Sequence, residues 1–304
     1  MLPQPFRLAY RLPLVLFFLA IIFPCQLVSH VLRLPTRRYL PIILYRLVMR
    51  TAGIRVRIHG PVPARGSLII SNHVSWLDIV LIGSVMPVNF VAKADIAQWP
   101  LFGVLAKVAR TIFIERERRS DAMKQRNAMQ QRLAEGERVV LFPEGSTSDG
   151  TIVQPFKSAL LSAAETKIRG KSVKVQPMTL AFSELSGVPM GRRMRVEFAW
   201  IGHLNLVPHM LQVLCGDPLT VDLVFYPPTD LESAGGRKNL AAQAHRLVQD
   251  GLAAFTVGHS TGAFDWQNDK PRSAPAGPSG GQTIPAPLNR QPQKHKEKKA
   301  EPTA

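Results

Sequence analysis

From Ile54 onward the chain reads as short apolar segments divided by polar loops. Ile54, Val56 and Ile58 alternate with Arg55, Arg57 and His59, the period-two signature of a strand with one buried face. Ser67–Ser71 is a short apolar run, read as a buried strand that carries the chain into a loop at His73. Asn89–Lys93 and Thr111–Ile114 predict two more strands, with a helix around Pro100–Ala109 between them. Ser120 predicts the N-cap of a polar helix that ends at Gly136. Arg138–Phe142 is a strand that opens into Pro143-Glu144-Gly145, and a helix is expected over about Pro155–Glu165. Strands are expected near Val173–Phe182, Arg195–Trp200 and Leu219–Phe225, and a last helix over Arg237–Phe255. Strands alternating with helices predict the α/β class: a mixed sheet flanked by helices, with antiparallel pairing late in the chain.

Before Ile54 the pattern is different. Leu12 to Cys25 is apolar throughout, and the stretch to Leu32 adds only Gln26, Ser29 and His30 as polar residues. About 20 apolar residues cross a bilayer as a helix, whereas 10–14 more often lie in an interface or a core. Pro13 and Pro24 are expected to shorten the usable helix. Tyr39–Met49 is apolar apart from Arg46. Two architectures fit: a monotopic helix pair dipping into one leaflet, with arginines held at lipid phosphates, or a single transmembrane anchor. Arginines flank the first apolar run on both sides, so the positive-inside rule does not orient it. Three regions are expected: membrane-associated N-terminal helices over 1–50, an α/β domain over 51–260, and a disordered basic Pro/Gly/Lys-rich tail over 261–304.

Charge narrows the partners. The formal net charge of the 304-residue chain is +17, which calls for an anionic surface or ligand. Residues 1–77 hold ten arginines and no lysine or acid, wrapped around apolar sequence. Aromatics make up only 7 %, too few for the stacking platforms of a nucleic-acid binder, so a membrane surface is expected and nucleic acid is not. Cys25 and Cys215 form neither a disulfide framework nor a metal-spaced cluster.

The first acidic side chain in the chain is Asp78, five places after His73 in Ser-Asn-His-Val-Ser-Trp-Leu-Asp. A carboxylate that close can fix the imidazole tautomer and stabilise the imidazolium formed when the ring takes a proton. The spacing is just over one helical turn, so a loop running into a helix start at Ser75 lets the side chains meet, whereas a straight helix splays them. In α/β sheets, sites collect beyond the carboxyl ends of strands. Segments 72–78, 115–116 and 143–148 all follow predicted strands and are expected to converge on one cleft. Gly145-Ser146-Thr147-Ser148 is not a Gly-x-Ser-x-Gly elbow, and no nucleoside triphosphate loop occurs. His203, His209 and His245 are scattered without metal-ligand spacing and read as structural or surface residues.

Together these segments resemble the lysophospholipid acyltransferase family, the glycerolipid acyltransferases typified by 1-acylglycerol-3-phosphate acyltransferase. Asn72, His73 and Asp78 match its Asn-His-x-x-x-x-Asp block, and Ile112-Phe113-Ile114-Glu115-Arg116 is similar to its second block. Phe142, Pro143, Glu144, Gly145 and Ser148 match its Phe-Pro-Glu-Gly-Thr-Arg-Ser block, and Val175-Gln176-Pro177 is similar to its fourth. The resemblance covers about 40–257. It departs from the family pattern at Ser146-Thr147, where many members carry Thr-Arg. The run Phe142–Gly150, with Pro155-Phe156-Lys157-Ser158 and Leu206-Val207-Pro208-His209, looks more like the branch that acylates lyso-ornithine lipid.

The resemblance implies an O-acyltransferase that moves a fatty acyl group from acyl carrier protein or coenzyme A to the hydroxyl of a lysolipid. His73 is expected to be the general base and Asp78 its orienting carboxylate. Arg116 is expected to pair with an anionic head group, because its planar guanidinium donates two parallel hydrogen bonds. Asn72 and Ser146 are expected on the substrate side, and Glu144 and Gly145 to bind the acceptor or shape the loop. Backbone N–H groups around 143–148 are one option for oxyanion donors. No metal and no tightly bound cofactor is implied; the thioester is a co-substrate. The expected location is the cytoplasmic face of the inner membrane. Two rivals remain at this level: a lysolipid or thioester hydrolase, and a non-catalytic basic membrane-binding protein.

Overall fold

A computed structural model describes residues 5–114, 119–168, 170–202 and 204–256, together with the pairs 264–265 and 270–271. Arg116, His203 and most of the expected tail over 261–304 lie outside the described residues.

Helix α1, Pro5–Val31, runs unbroken through Pro13 and Pro24, so the expected shortening does not occur. A proline removes one hydrogen bond from a helix, and in 27 residues the remaining ladder carries the segment. An elbow at Pro35–Arg38 leads into α2, Leu40–Ala52, which ends at Gly53 with φ +74°. That left-handed position is where a glycine terminates a helix at least cost. Then follow β1 (Ile54–His59), β2 (Leu68–Ser71), α3 (Leu77–Val85), β3 (Asn89–Lys93), α4 (Phe102–Val108) and β4 (Ile112–Ile114). The second half contains α5 (Arg119–Ala134), β5 (Val139–Leu141), a 3-10 segment (Ser158–Glu165) and a small hairpin of β6 (Lys167–Ile168) and β7 (Lys171–Ser172). It continues with β8 (Val175–Leu185), β9 (Val188–Pro189), α6 (Arg192–Val196), α7 (Leu206–Cys215), β10 (Leu219–Phe225) and α8 (Arg237–Thr256).

The main sheet has the order β1-β10-β8-β2-β5-β3-β4, with β9 paired to β8. β8, β2, β5, β3 and β4 are mutually parallel, and β10 pairs antiparallel to β8 with β1 parallel beside it. This is the expected mixed α/β sheet with late antiparallel pairing. Leu68 and Ile70 face one layer, with Leu133, Leu161, Leu240 and Val248, whereas Ile69 faces the other, with Met49, Leu81, Leu180 and Val213. A strand buried on both faces needs the continuous apolar run seen at 68–70.

Three sequence expectations fail, two of them for tertiary reasons. Arg195–Trp200 is not a strand; α6 and a turn occupy it. Both edges of β10 are already filled by β1 and β8, and Arg195 instead turns inward and donates from Nη2 to the Phe255 carbonyl at the end of α8. Helix formation over 155–165 is confined to Ser158–Glu165, because Lys157 N–H is tied to the Pro143 carbonyl at 2.9 Å. Ser120 lies inside α5 rather than before it.

α1 is inverted relative to a core helix. Its buried residues are Arg11, Ile22, Gln26 and Ser29, while Phe6, Leu14, Leu16, Phe17, Ile21 and Val28 are exposed. The polar ones serve the protein: Gln26 donates to the carbonyls of Arg37 and Val108, and Arg11 donates to those of Leu214 and Gly216. Arg7 adds Gly216 O and Asp217 at 2.7 Å. Arg7 and Arg11 therefore neutralise the negative end of α7 rather than reaching lipid phosphates.

Candidate active site

His73 lies two residues past the end of β2, at the carboxyl end of the parallel strands, where the chain turns into α3. Asp78 sits in the first turn of α3, and its Oδ2 accepts three hydrogen bonds. They come from the N–H groups of Val74 at 2.7 Å and Ser75 at 3.0 Å, and from His73 Nδ1 at 2.7 Å. The reach back from Asp78 to the Ser75 amide is one half of a capping box, with Ser75 at the start of the turn. So the helix start that the spacing required is present, and the capping contact itself brings the carboxylate to the imidazole. Because a carboxylate only accepts, Nδ1 carries the proton and Nε2 presents its lone pair. Nε2 has no hydrogen bond among the described residues, and the His73 side chain is 20 % exposed while Asp78 is fully buried.

The loop after β5 holds the rest of His73. Its N–H donates to Glu144 Oε1 at 2.6 Å, and its carbonyl accepts from Ser148 N at 2.8 Å and Ser148 Oγ at 3.1 Å. Phe142 stacks flat on the imidazole, with ring centroids 4.0 Å apart and planes 12° from parallel. Trp200 closes the neighbouring side: its N–H donates to the Val74 carbonyl, and its own carbonyl accepts from Thr147 Oγ1. One edge, one face and both backbone groups of His73 are thereby fixed, which is the preorganisation a proton-transfer site needs.

The structure reassigns several expected substrate contacts. Asn72 is fully buried, with Nδ2 donating to the Leu180 carbonyl at 2.9 Å and Oδ1 accepting the Leu180 N–H at 2.8 Å. It continues the β2–β8 ladder one step past Ser71 and faces β8, not a ligand. Losing it would leave two buried backbone groups unpaired, a cost of about 2–4 kcal/mol. Glu144 is buried as well, with Oε1 on His73 and Oε2 accepting from the Gln154 N–H at 2.7 Å. Of its two expected roles, the geometry fits loop shaping. Gly145 turns the loop at φ +81°, and Ser146 is exposed on it. The amides of Gly145 and Ser148 are committed to Phe142 O and His73 O, so in this conformation they are not oxyanion donors. Sequence reasoning did not single out Phe142, Ser148 or Trp200 as supports for His73, although the first two belong to the matched Phe-Pro-Glu-Gly block.

Burial raises the Glu144 carboxyl to about 7 from its ordinary 4.5. The hydrogen bonds from Gln154 and His73 offset part of that, and the charges of Asp78 and Asp149 add to it. With the folded value above the unfolded one, Glu144 contributes stability that is complete below pH 4.5 and lost as pH rises to about 7. The shift corresponds to about 3 kcal/mol. Denaturant titrations of the wild type and Glu144→Gln across this window should show a steeper fall for the wild type. Identical slopes would remove the carboxyl as the titrating group.

A second histidine–aspartate pair shows what distinguishes the first. His59 Nε2 lies 2.6 Å from Asp222 Oδ1, but Asp222 is also held by Arg57 through Nε at 2.9 Å and Nη2 at 2.8 Å. That carboxylate already has a guanidinium partner, and the pair belongs to adjacent strands β1 and β10 rather than to strand-end loops. It reads as a strand-to-strand tie. His209 is structural too: Trp76 Nε1 donates to its Nδ1, and burial lowers its pKa, keeping the ring neutral.

Comparison with known proteins gives the family. Residues 53–181 match the family model described as acyltransferase. The lyso-ornithine lipid O-acyltransferase of Rhizobium meliloti is 39 % identical over 247 residues, 80 % of this chain and 85 % of that protein. Its counterpart in Brucella abortus is 38 % identical over 229 residues, 73 % and 85 % of the two chains. The 1-acyl-sn-glycerol-3-phosphate acyltransferase of Neisseria gonorrhoeae is 40 % identical over a shorter 112 residues, 37 % of this chain and 44 % of that one. Among solved structures, the 1-acyl-sn-glycerophosphate acyltransferase of Thermotoga maritima superimposes with a TM-score of 0.50 at 19 % identity, covering 81 % of this chain and 96 % of that one. At that identity the likeness speaks to fold.

Proposed function

The chain belongs to the acyltransferase family, and from that premise we propose that it transfers a fatty acyl group from a thioester to the hydroxyl of lyso-ornithine lipid. The observation that carries the reaction is the His73 Nδ1–Asp78 contact of 2.7 Å with Nε2 left open. Nε2 takes the proton of the acceptor hydroxyl as that oxygen bonds to the thioester carbonyl carbon. The tetrahedral intermediate then collapses, the carbon–sulfur bond breaks, and the thiolate takes the proton from the imidazolium. No acyl-enzyme is needed, because the base requires only one hydroxyl and one thioester.

The acceptor follows from two observations. Ser146-Thr147 stands where a phosphate-binding arginine would be expected, and the relatives that match most of the chain are named for lyso-ornithine lipid. The donor is the thioester of acyl carrier protein or coenzyme A. Arg116 remains the proposed partner of an anionic group on the substrate. α1 supplies the membrane seat: mean hydropathy reaches 2.3, and its apolar side chains point outward while its polar ones are buried. An outward apolar face of that size is stable against lipid rather than water. The domain then sits at the cytoplasmic face of the inner membrane, where a soluble thioester can reach it.

The test is an acceptor panel with the full chain in detergent, using labelled acyl thioesters of acyl carrier protein and coenzyme A. Lyso-ornithine lipid should be acylated at least tenfold faster than lysophosphatidate. A preference for lysophosphatidate overturns the acceptor, and acceptor-independent release of free fatty acid overturns transfer in favour of hydrolysis.

A further inference from the structure

A cavity lies at the other end of the sheet from His73. It measures about 300 Å³ and is lined by Asn89, Glu137 and Arg138, where β3 and β5 begin, and by the elbow between α1 and α2. Five guanidiniums, those of Arg37, Arg38, Arg65, Arg110 and Arg138, face one carboxylate, Glu137. Glu137 is taken by Arg110 and by Arg38 at 3.0 Å. The other three have no carboxylate partner among the described residues. Arg65 and Arg138 use only Nε, on the carbonyls of Gly136 at 3.3 Å and Pro63 at 2.7 Å, and Arg37 makes no side-chain hydrogen bond there. Burial, with Arg110 and Arg38 next to it, lowers the Arg37 pKa; burial and Arg65 do the same to Arg138. By contrast, the protein meets Arg7 and Arg57 with carboxylates of its own, Asp217 for the first and Glu184 and Asp222 for the second. Here it leaves planar donors facing a shared space.

We propose that this cavity binds the phosphate of an anionic phospholipid, distinct from both substrates. A phosphate offers oxygens in the geometry that arginine forks match, and it relieves the repulsion among the clustered guanidiniums. The lipid source is favoured by position. Leu32, Leu34, Tyr39 and Ile43, flanking the elbow, are all exposed, so acyl chains leaving the cavity mouth meet an apolar surface continuous with α1. Basic pockets between membrane-associated helices bind anionic head groups by this combination. The inference holds whichever lysolipid is the acceptor.

The experiment titrates dioctanoyl-phosphatidylglycerol into the detergent-solubilised full chain and follows the melting temperature. The wild type should show a saturable rise, and Arg37→Gln/Arg138→Gln should need at least tenfold more lipid for half the effect. Lys238→Gln/Arg246→Gln, which removes the same charge from the exposed side of α8, should behave as the wild type. An equal loss in both variants overturns the site in favour of bulk charge, and no loss in either overturns it outright. Inorganic phosphate or sn-glycerol 3-phosphate acting at the same concentration as the lipid overturns the lipid source. If the double variant does not fold, the exposed Arg65→Gln variant repeats the titration with the same outcomes.

Discussion

Replacing His73 with alanine lowers acyl transfer by roughly 10²- to 10⁴-fold, the contribution of a positioned general base. The fold should survive. The His73 backbone anchors to Glu144 and Ser148 do not involve its side chain, and Asp78 keeps the amides of Val74 and Ser75 when the imidazole is gone. What disappears is the Nε2 lone pair and the stack on Phe142. Since the ring acts on a proton in transit, the loss should fall on kcat, with the KM for lysolipid little changed. Circular dichroism and melting of the variant separate this from unfolding. A folded His73→Ala variant with normal turnover would sink the assignment and revive the non-catalytic membrane-binding reading.

Much of this site was legible in the chain because its logic is local. Asp78 lies five places after His73, and its carboxylate ties the turn between them by accepting the amides of Val74 and Ser75. The strands were legible for the same reason: alternation at 54–59 and the apolar run at 68–70 need no knowledge of partners. The errors gather where a distant element decides. Asn72 has the chemistry of a ligand contact, but the Leu180 backbone, 108 residues away, takes both ends of its amide. Glu144 looks like a loop carboxylate until Gln154 and His73 are folded against it. Arg7 and Arg11 read as lipid contacts because nothing in their neighbourhood announces that α7 ends beside them. The inversion of α1 was likewise invisible: its few polar residues could be placed on a face only once α7 and α4 were seen packed against it.

Asp78→Asn should cost roughly 10- to 100-fold in kcat, less than removing His73, and the reason lies in how Asp78 is held. In a histidine–aspartate pair, an asparagine that turns its amide toward the ring forces the wrong tautomer, at a cost near 10⁴. Here Oδ2 also accepts the amides of Val74 and Ser75, while the buried Oδ1 has no hydrogen-bond partner. The asparagine oxygen must therefore take the Oδ2 position, since a side-chain NH₂ there would face two backbone N–H donors. His73 keeps its Nδ1 proton and its orientation. Only the charge is lost, and with it the stabilisation of the imidazolium in the transition state, about 1.5–3 kcal/mol for a hydrogen bond to a charged group. Asp78→Ala removes the acceptor altogether, leaves two buried amides unpaired and frees the ring to rotate, so it should match or exceed the loss in His73→Ala and lower the melting temperature too. The ratio of the two variants is the measurement. If asparagine proves as damaging as alanine, the backbone amides do not dictate its orientation, and the carboxylate's role reduces to fixing a tautomer.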